Sequence, residues 1–192
     1  MQHDVQPTIF YCNPNIYPEE EYFIRKNEIT RYATELGLTI IDDDYDHAAW
    51  LHHIAGLEGE PERGGRCLEC FKYRLLRSAQ KARELGIDEF TTTLASSRWK
   101  RLDQINAAGH WAAEQVNAAQ PTTASSGTPA APAVHFDDRN WRKGGLQERR
   151  NQLLRINGFY NQQYCGCEFS FRTTDQHQAP AAGASTISSS NQ

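Results

Sequence analysis

Four of the five cysteines stand in two close pairs, Cys67-x-x-Cys70 and Cys165-Gly166-Cys167, and Cys12 stands alone. A C-x-x-C spacing sets two sulfurs about one helical turn apart, an arrangement shared by zinc sites, iron-sulfur sites and thioredoxin-like redox pairs. The first pair falls at the start of a predicted helix from about Cys67 to Leu85. Free backbone N–H groups and the helix dipole favour thiolates there, and Arg63, Arg66 and Lys72 add positive charge. The plainer alternative is a pair of buried helix cysteines. In the second pair, Gly166 leaves the backbone free to bend, so that the two thiols could close on each other, clamp one metal, or simply pack. The polar and aromatic run Phe159 to Tyr164 before it places this pair on a loop. Two pairs so distant in sequence meet only if the fold carries both to one end of a sheet, as parallel α/β sheets do at strand carboxyl ends.

Other chemistry-bearing residues cluster by charge. Arg98, Lys100 and Arg101 lie near one predicted helix start, and Arg139, Arg142, Lys143, Arg149, Arg150 and Arg155 near another, with Trp99 and Trp141 available to stack on unpaired bases. Solvated helix faces are the alternative for these charges. The formal charge of −4 means that any nucleic acid must be met by such a local basic face. His47, His52 and His53 share one predicted helix, but their spacing is poor for joint metal ligation, and they are read as non-ligands.

The elements that must position these groups follow from periodicity. Pro7 to Cys12 reads as a buried strand stopped by Asn13-Pro14-Asn15, Glu19 to Leu36 as an amphipathic helix ended by Gly37, and Leu38 to Ile41 as the next strand. A helix from about Asp46 to Leu57, a polar loop from Glu58 to Arg66 and the Cys67–Leu85 helix ended by Gly86 follow. Phe90 to Leu94 is a Thr-rich strand, Trp99 to Gln115 a helix, Val134 to Phe136 a last strand and Gly145 to Asn157 a last helix. Residues 117–133, rich in Ala, Pro, Thr and Ser, form a low-complexity insertion, and 173–192 a polar tail expected to be disordered. The alternation predicts a single α/β domain over 1–172 with a mainly parallel sheet. No segment approaches the roughly 20 apolar residues of a membrane span, and Met1 to Asp4 lacks the basic and apolar parts of a signal peptide. With an odd cysteine count and such spacings, a reducing, cytoplasmic setting is expected.

On these residues the chain resembles the QueH family of epoxyqueuosine reductases. The likeness runs from Asn13-Pro14-Asn15-Ile16, Pro18, Glu21-Tyr22 and Arg25 through Tyr45-Asp46, Trp50 and Glu60-Pro61-Glu62 to Arg66-Cys67-x-x-Cys70-Phe71 and Arg74-Leu75. It continues in Thr91-Thr92-Thr93-Leu94, Ser97, Lys100 and Trp141-Arg142-Lys143-Gly144-Gly145, and ends in Tyr164-Cys165-Gly166-Cys167-Glu168-Phe169-Ser170. The resemblance implies a nucleotide-hydrolase-like (Rossmann-like, HUP) α/β sandwich and the reduction of epoxyqueuosine to queuosine at the tRNA wobble position, the last step of queuosine biosynthesis. It also implies a [4Fe-4S] cluster, with room for an additional iron, a tRNA anticodon loop as partner and an electron donor not yet identified.

By the same resemblance, Cys67 and Cys70 join an adjacent Cys-Cys pair near the N-terminus in holding the cluster, and Cys165 and Cys167 form a redox-active dithiol. This sequence contains no Cys-Cys. The strand and loop that carry it in the family, ahead of the Pro7–Cys12 strand, are therefore expected to be missing, with weak cluster retention if the chain is complete. Cys12 stands where the family usually has an aromatic residue and reads as a buried small side chain, and Asn161 replaces a common Arg. Opening an epoxide requires a proton donor or Lewis acid for the departing oxygen, and Asp44, Asp46, Cys165 and Cys167 are the candidates. The two carboxylates could instead cap the helix near Asp46. A non-catalytic zinc module built from Cys67, Cys70, Cys165 and Cys167, or an inactive truncated paralogue, are the alternatives.

Overall fold

Among the described residues, four β-strands lead into the segments that carry the motifs. The computed structural model describes residues 6–119 and 132–170. Strand β1 (Ile9–Tyr11) is followed by helix α1 (Glu19–Glu35) and β2 (Ile40–Asp42), which pairs in parallel with β1 so that Ile9 lies opposite Ile40 and Tyr11 opposite Asp42. Helix α1 starts on three glutamates, Glu19 to Glu21, which suit the positive end of its dipole. It ends where Gly37 adopts φ +65°, a conformation that glycine takes without a Cβ penalty.

A short helix α2 (His47–His53) and the long α3 (Gly65–Glu84) come next, then β3 (Glu89–Phe90), a 3-10 turn (Thr93–Ser96), α4 (Leu102–Ala118), β4 (His135–Phe136) and α5 (Leu146–Asn157). A second 3-10 turn spans Glu168–Ser170. Strand β4 pairs in parallel with β3, Phe90 facing Phe136. Among the described residues the strands thus form two parallel pairs, and the chain is α/β as predicted.

The main core lies between α3 and α4. Helix α3 buries Phe71, Leu75, Ala79 and Ala82, and α4 meets them with Ile105, Ala108, Ala112, Ala113 and Val116. The small residues of α4 let the two helices approach closely, and burying such a face supplies most of what stabilises helices of this length. A second cluster joins Trp50 and Ile54 to Cys70 and Cys167, and a third packs Tyr11, Ile16 and Tyr22 under α1.

Several predicted boundaries move. The Thr-rich strand stops at Phe90, because Thr92 turns its hydroxyl onto the Leu94 N–H and caps the 3-10 turn instead of extending the strand. The helix predicted from Trp99 begins at Leu102 and runs on through Asn117, and α2 ends at His53. Asn117 does not belong to a loose insertion: its side chain donates to Val134 O and accepts from Val134 N, both at 2.9 Å. Residues 120–131 of the predicted insertion and the predicted tail 173–192 lie outside the described residues.

Candidate functional site: two cysteine pairs under an aromatic wall

Cys67 and Cys70 occupy the first turns of α3, and the C-G-C loop folds back over them. Cys70 and Cys167 are both buried and share the cluster with Trp50, Ile54 and Phe169. Burial pushes the Cys67, Cys70 and Cys167 thiols up, the last to about 12, and Cys165 adds to each shift through its own charge. The fold therefore brings both predicted pairs within electrostatic reach of one another.

Local donors act in the other direction. The Arg63 backbone N–H donates to Cys67 Sγ at 3.2 Å, from a residue held at φ +68°, where non-glycine residues are uncommon. Trp50 is fully buried with no hydrogen-bond partner at Nε1, and it lies close enough to Cys70 to favour its thiolate. On the other pair, Lys100 Nζ lies 3.4 Å from Cys165 Sγ.

The C-G-C loop is clamped from α1. Arg25 donates to Tyr164 O and Cys165 O, each at 3.2 Å, and is itself held by Glu21 at 2.8 Å, one helical turn earlier. Tyr17 N donates to Gly166 O at 2.7 Å, and Tyr160 Oη donates to the Glu21 carboxylate. Gly166 sits at φ +107°, and a Cβ there would meet Arg25 Nη1 and Ile16 Cγ1 at 3.0 Å.

The wall of the site is aromatic. His47 stacks between Tyr17, Tyr45 and Trp50 at centroid distances of 5.8, 6.0 and 5.4 Å. Its Nδ1 donates to Pro14 O at 2.7 Å, and its Nε2 lies 3.2 Å from Glu168 Oε1. It thereby ties the loop after β1 to the residue next to Cys167. The sequence reading set His47 aside with His52 and His53. Its partners lie 33 and 121 residues away, so no local spacing could have marked it. Arg66, buried, donates to Glu58 O at 2.6 Å and stands 5.0 Å over the Phe169 ring.

Asp44 and Asp46 are exposed. Asp46 accepts from Ala49 N at 2.8 Å and caps α2. Both carboxylates line a cavity of about 80 Å³ with Pro14, Asp43, Tyr73 and Arg77, the last two being one and two turns beyond Cys70 on α3. In that cavity burial works against the Asp43 carboxylate, yet the Arg77 guanidinium holds it below its usual range. Cys12, which donates to Asp43, is buried as expected and pushed up to about 12, mainly by that burial.

The predicted basic residues divide into two kinds. Arg142 is engaged internally, donating to Ala95 O at 3.1 Å and Lys100 O at 3.0 Å, and Arg101 pairs with Asp103. Lys143, Arg149, Arg150 and Arg155 are exposed. Arg98 and Arg139 each stand over a tryptophan ring, Trp99 at 4.8 Å and Trp141 at 5.1 Å.

A family model described as "Epoxyqueuosine reductase QueH" matches residues 1–173. The chain belongs to the QueH family. Similar proteins, each named epoxyqueuosine reductase QueH, come from Histophilus somni (43% identical over 169 residues, 88% of this chain and 63% of that protein) and Haemophilus influenzae (40% over 172 residues, 90% and 64%). The protein from Acinetobacter baylyi is 40% identical over 169 residues, 88% of this chain and 71% of its own length. The chain thus spans somewhat under two thirds of the first two relatives.

A four-thiolate cluster can be tested against this geometry. The Arg63 N–H at Cys67 and the unpartnered Trp50 Nε1 beside Cys70 suit the thiolate form that a metal requires. Among the described residues, however, no three His, Cys, Asp or Glu side chains converge to hold a metal ion. Cys67 and Cys70 therefore fit half of such a set, and the described residues do not complete it.

Proposed function

We propose that the chain carries out the reductase chemistry of its family, the conversion of epoxyqueuosine to queuosine at the wobble position of a tRNA anticodon loop. The observation that carries this is that one member of each cysteine pair, Cys70 and Cys167, meets the other in one buried cluster of a QueH-family chain. The reaction takes up two electrons and two protons; both epoxide C–O bonds break, the oxygen leaves as water, and a carbon–carbon double bond forms. Cys165 and Cys167 can supply both electrons and both protons by becoming a disulfide, which an external donor must then reduce. Arg25 holds this loop through two backbone carbonyls, and neither cysteine is in a disulfide.

Cys67 and Cys70 are proposed as two ligands of a [4Fe-4S] cluster, a centre able to pass electrons singly. Asp44 and Asp46 stand as proposed proton donors, with Asp46 also serving as the α2 cap. We read the two parallel strand pairs as flanks of one sheet in a nucleotide-hydrolase-like sandwich, with the site at the strand carboxyl ends. Five free thiols accord with a reducing compartment, and we assign the protein to the cytoplasm.

Anaerobic reconstitution with iron and sulfide, followed by assay on epoxyqueuosine-containing tRNA, tests the proposal. The expected result is weak iron retention by the chain as given and, once it is extended by a segment that carries the family's Cys-Cys pair, a brown protein absorbing at roughly 400 nm that yields queuosine, with iron lost in Cys67→Ser and Cys70→Ser. Stoichiometric zinc, no iron and no turnover would overturn it in favour of a zinc module.

A further inference from the structure

We propose that Trp99 is the platform on which an unpaired nucleotide of the RNA substrate stacks beside the cysteine site. The inference rests on the tRNA reading above and specifies the residue that holds the loop. Trp99 is 66% exposed, whereas Trp50 is fully buried, Trp111 packs against the main core and Trp141 donates from Nε1 to Thr91 Oγ1 at 3.2 Å. An indole so exposed contributes little to the stability of its own fold, so its place calls for a partner.

Its backbone, by contrast, is fastened on both sides. Trp99 O accepts from Arg63 Nε at 2.8 Å, and Lys100 O accepts from Arg142 Nη2 at 3.0 Å. Those contacts also fix where the indole stands. Arg63 reaches Trp99 with its side chain and Cys67 Sγ with its backbone N–H, while the adjacent Lys100 reaches Cys165 Sγ. Trp99 is thus connected by a single residue to each of the two cysteine pairs. A rigid loop that presents an aromatic ring loses little entropy when a base settles on it.

The chemistry around the ring selects the partner. Arg98 stands over the ring at 4.8 Å and makes no ion pair among the described residues, so its charge is available to a phosphate. Arg63 adds a second guanidinium at the Trp99 carbonyl. On a chain of net charge −4, cations gathered around an exposed indole fit an anionic polymer with exposed bases, which is single-stranded RNA.

Binding of a labelled anticodon stem-loop RNA to the reconstituted chain, measured by fluorescence anisotropy, tests this. Trp99→Ala is expected to weaken loop binding about 5- to 150-fold, the range of one stacked base, and Trp99→Phe to keep most of the affinity. A blunt duplex of the same stem should bind both variants equally. Arg98→Gln should reduce the slope of log K against log salt by about one, while Trp99→Ala leaves it unchanged. Wild-type loop affinity in Trp99→Ala, or an equal loss on the duplex, would overturn the platform. So would normal RNA binding together with a lost contact to a protein electron donor. If the wild-type chain itself bound no RNA and reduced none, the underlying functional reading would fail instead.

Discussion

Cys12 and Cys167 are thiols that the protein keeps neutral by burial, and both are pushed up to about 12 from an ordinary 9.0. A folded value above the unfolded one means that the unfolded chain ionises first as pH rises. The stability this represents is complete below about pH 9 and drains away towards pH 12. Cys12→Ser keeps a donor for Asp43 but removes the titration. Urea midpoints measured from about pH 7 to 10.5 should therefore fall more steeply for the wild type than for Cys12→Ser above pH 9. Parallel curves would show that Cys12 ionises in the folded protein as readily as in the unfolded chain, so that burial does not hold it neutral. The sequence already placed Cys12 in a core, since a lone cysteine after a β-branched and aromatic run is most simply a small buried side chain. What it could not give was Asp43, the partner that Arg77 holds ionised from the opposite side, because that contact depends on how β2 and α3 meet.

At the scale of elements, helices were legible and the loop geometry was not. The stripe Phe71, Leu75, Ala79 and Ala82 marks α3 with almost correct ends, because a 3.6-residue period and a Gly86 stop are written locally. The C-G-C loop is legible in the sequence as a loop, but its clamp is not, since Arg25 lies 140 residues from the Cys165 carbonyl it binds. The i,i+4 pair Glu21–Arg25 was the available hint, yet it resembles any helix-surface ion pair until Tyr160 closes on it. Gly166 is where this element is most vulnerable. A methyl group there must adopt φ +107° and press on Arg25 and Ile16 at once. Gly166→Ala is expected to cost at least about tenfold in turnover of the proposed reductase reaction, to make buried Cys167 alkylate faster and to lower the melting temperature by a few degrees. Alkylation at the wild-type rate would mean that the loop absorbs the methyl group and the clamp does not set its position.

The whole molecule depends on α3. One end carries Cys67 and Cys70, Arg74 donates to Cys12 O at 3.1 Å and Arg77 reaches Asp43, so the helix is bound to the β1–β2 pair. Its apolar face meets α4, which lies against β4. The joint between α4 and β4 closes over one missing side chain. A Cβ on Gly109 would overlap Cδ1, Cε1 and Cζ of the buried Phe136 ring. Two effects oppose each other in Gly109→Ala. Helix propensity favours alanine by about 1 kcal/mol. Overpacking a buried ring against backbone that cannot retreat costs about 1–3 kcal/mol, and the overlap extends over three ring atoms, so strain should win. The melting temperature of Gly109→Ala is expected to fall by several degrees. In a Phe136→Leu background, where the ring is gone, the same change should be neutral or stabilising, a coupling that only direct contact produces. A rise in melting temperature for Gly109→Ala alone would show that propensity outweighs packing at this joint. The two parallel strand pairs would then be tied together through α3 and its arginines, with little help from α4.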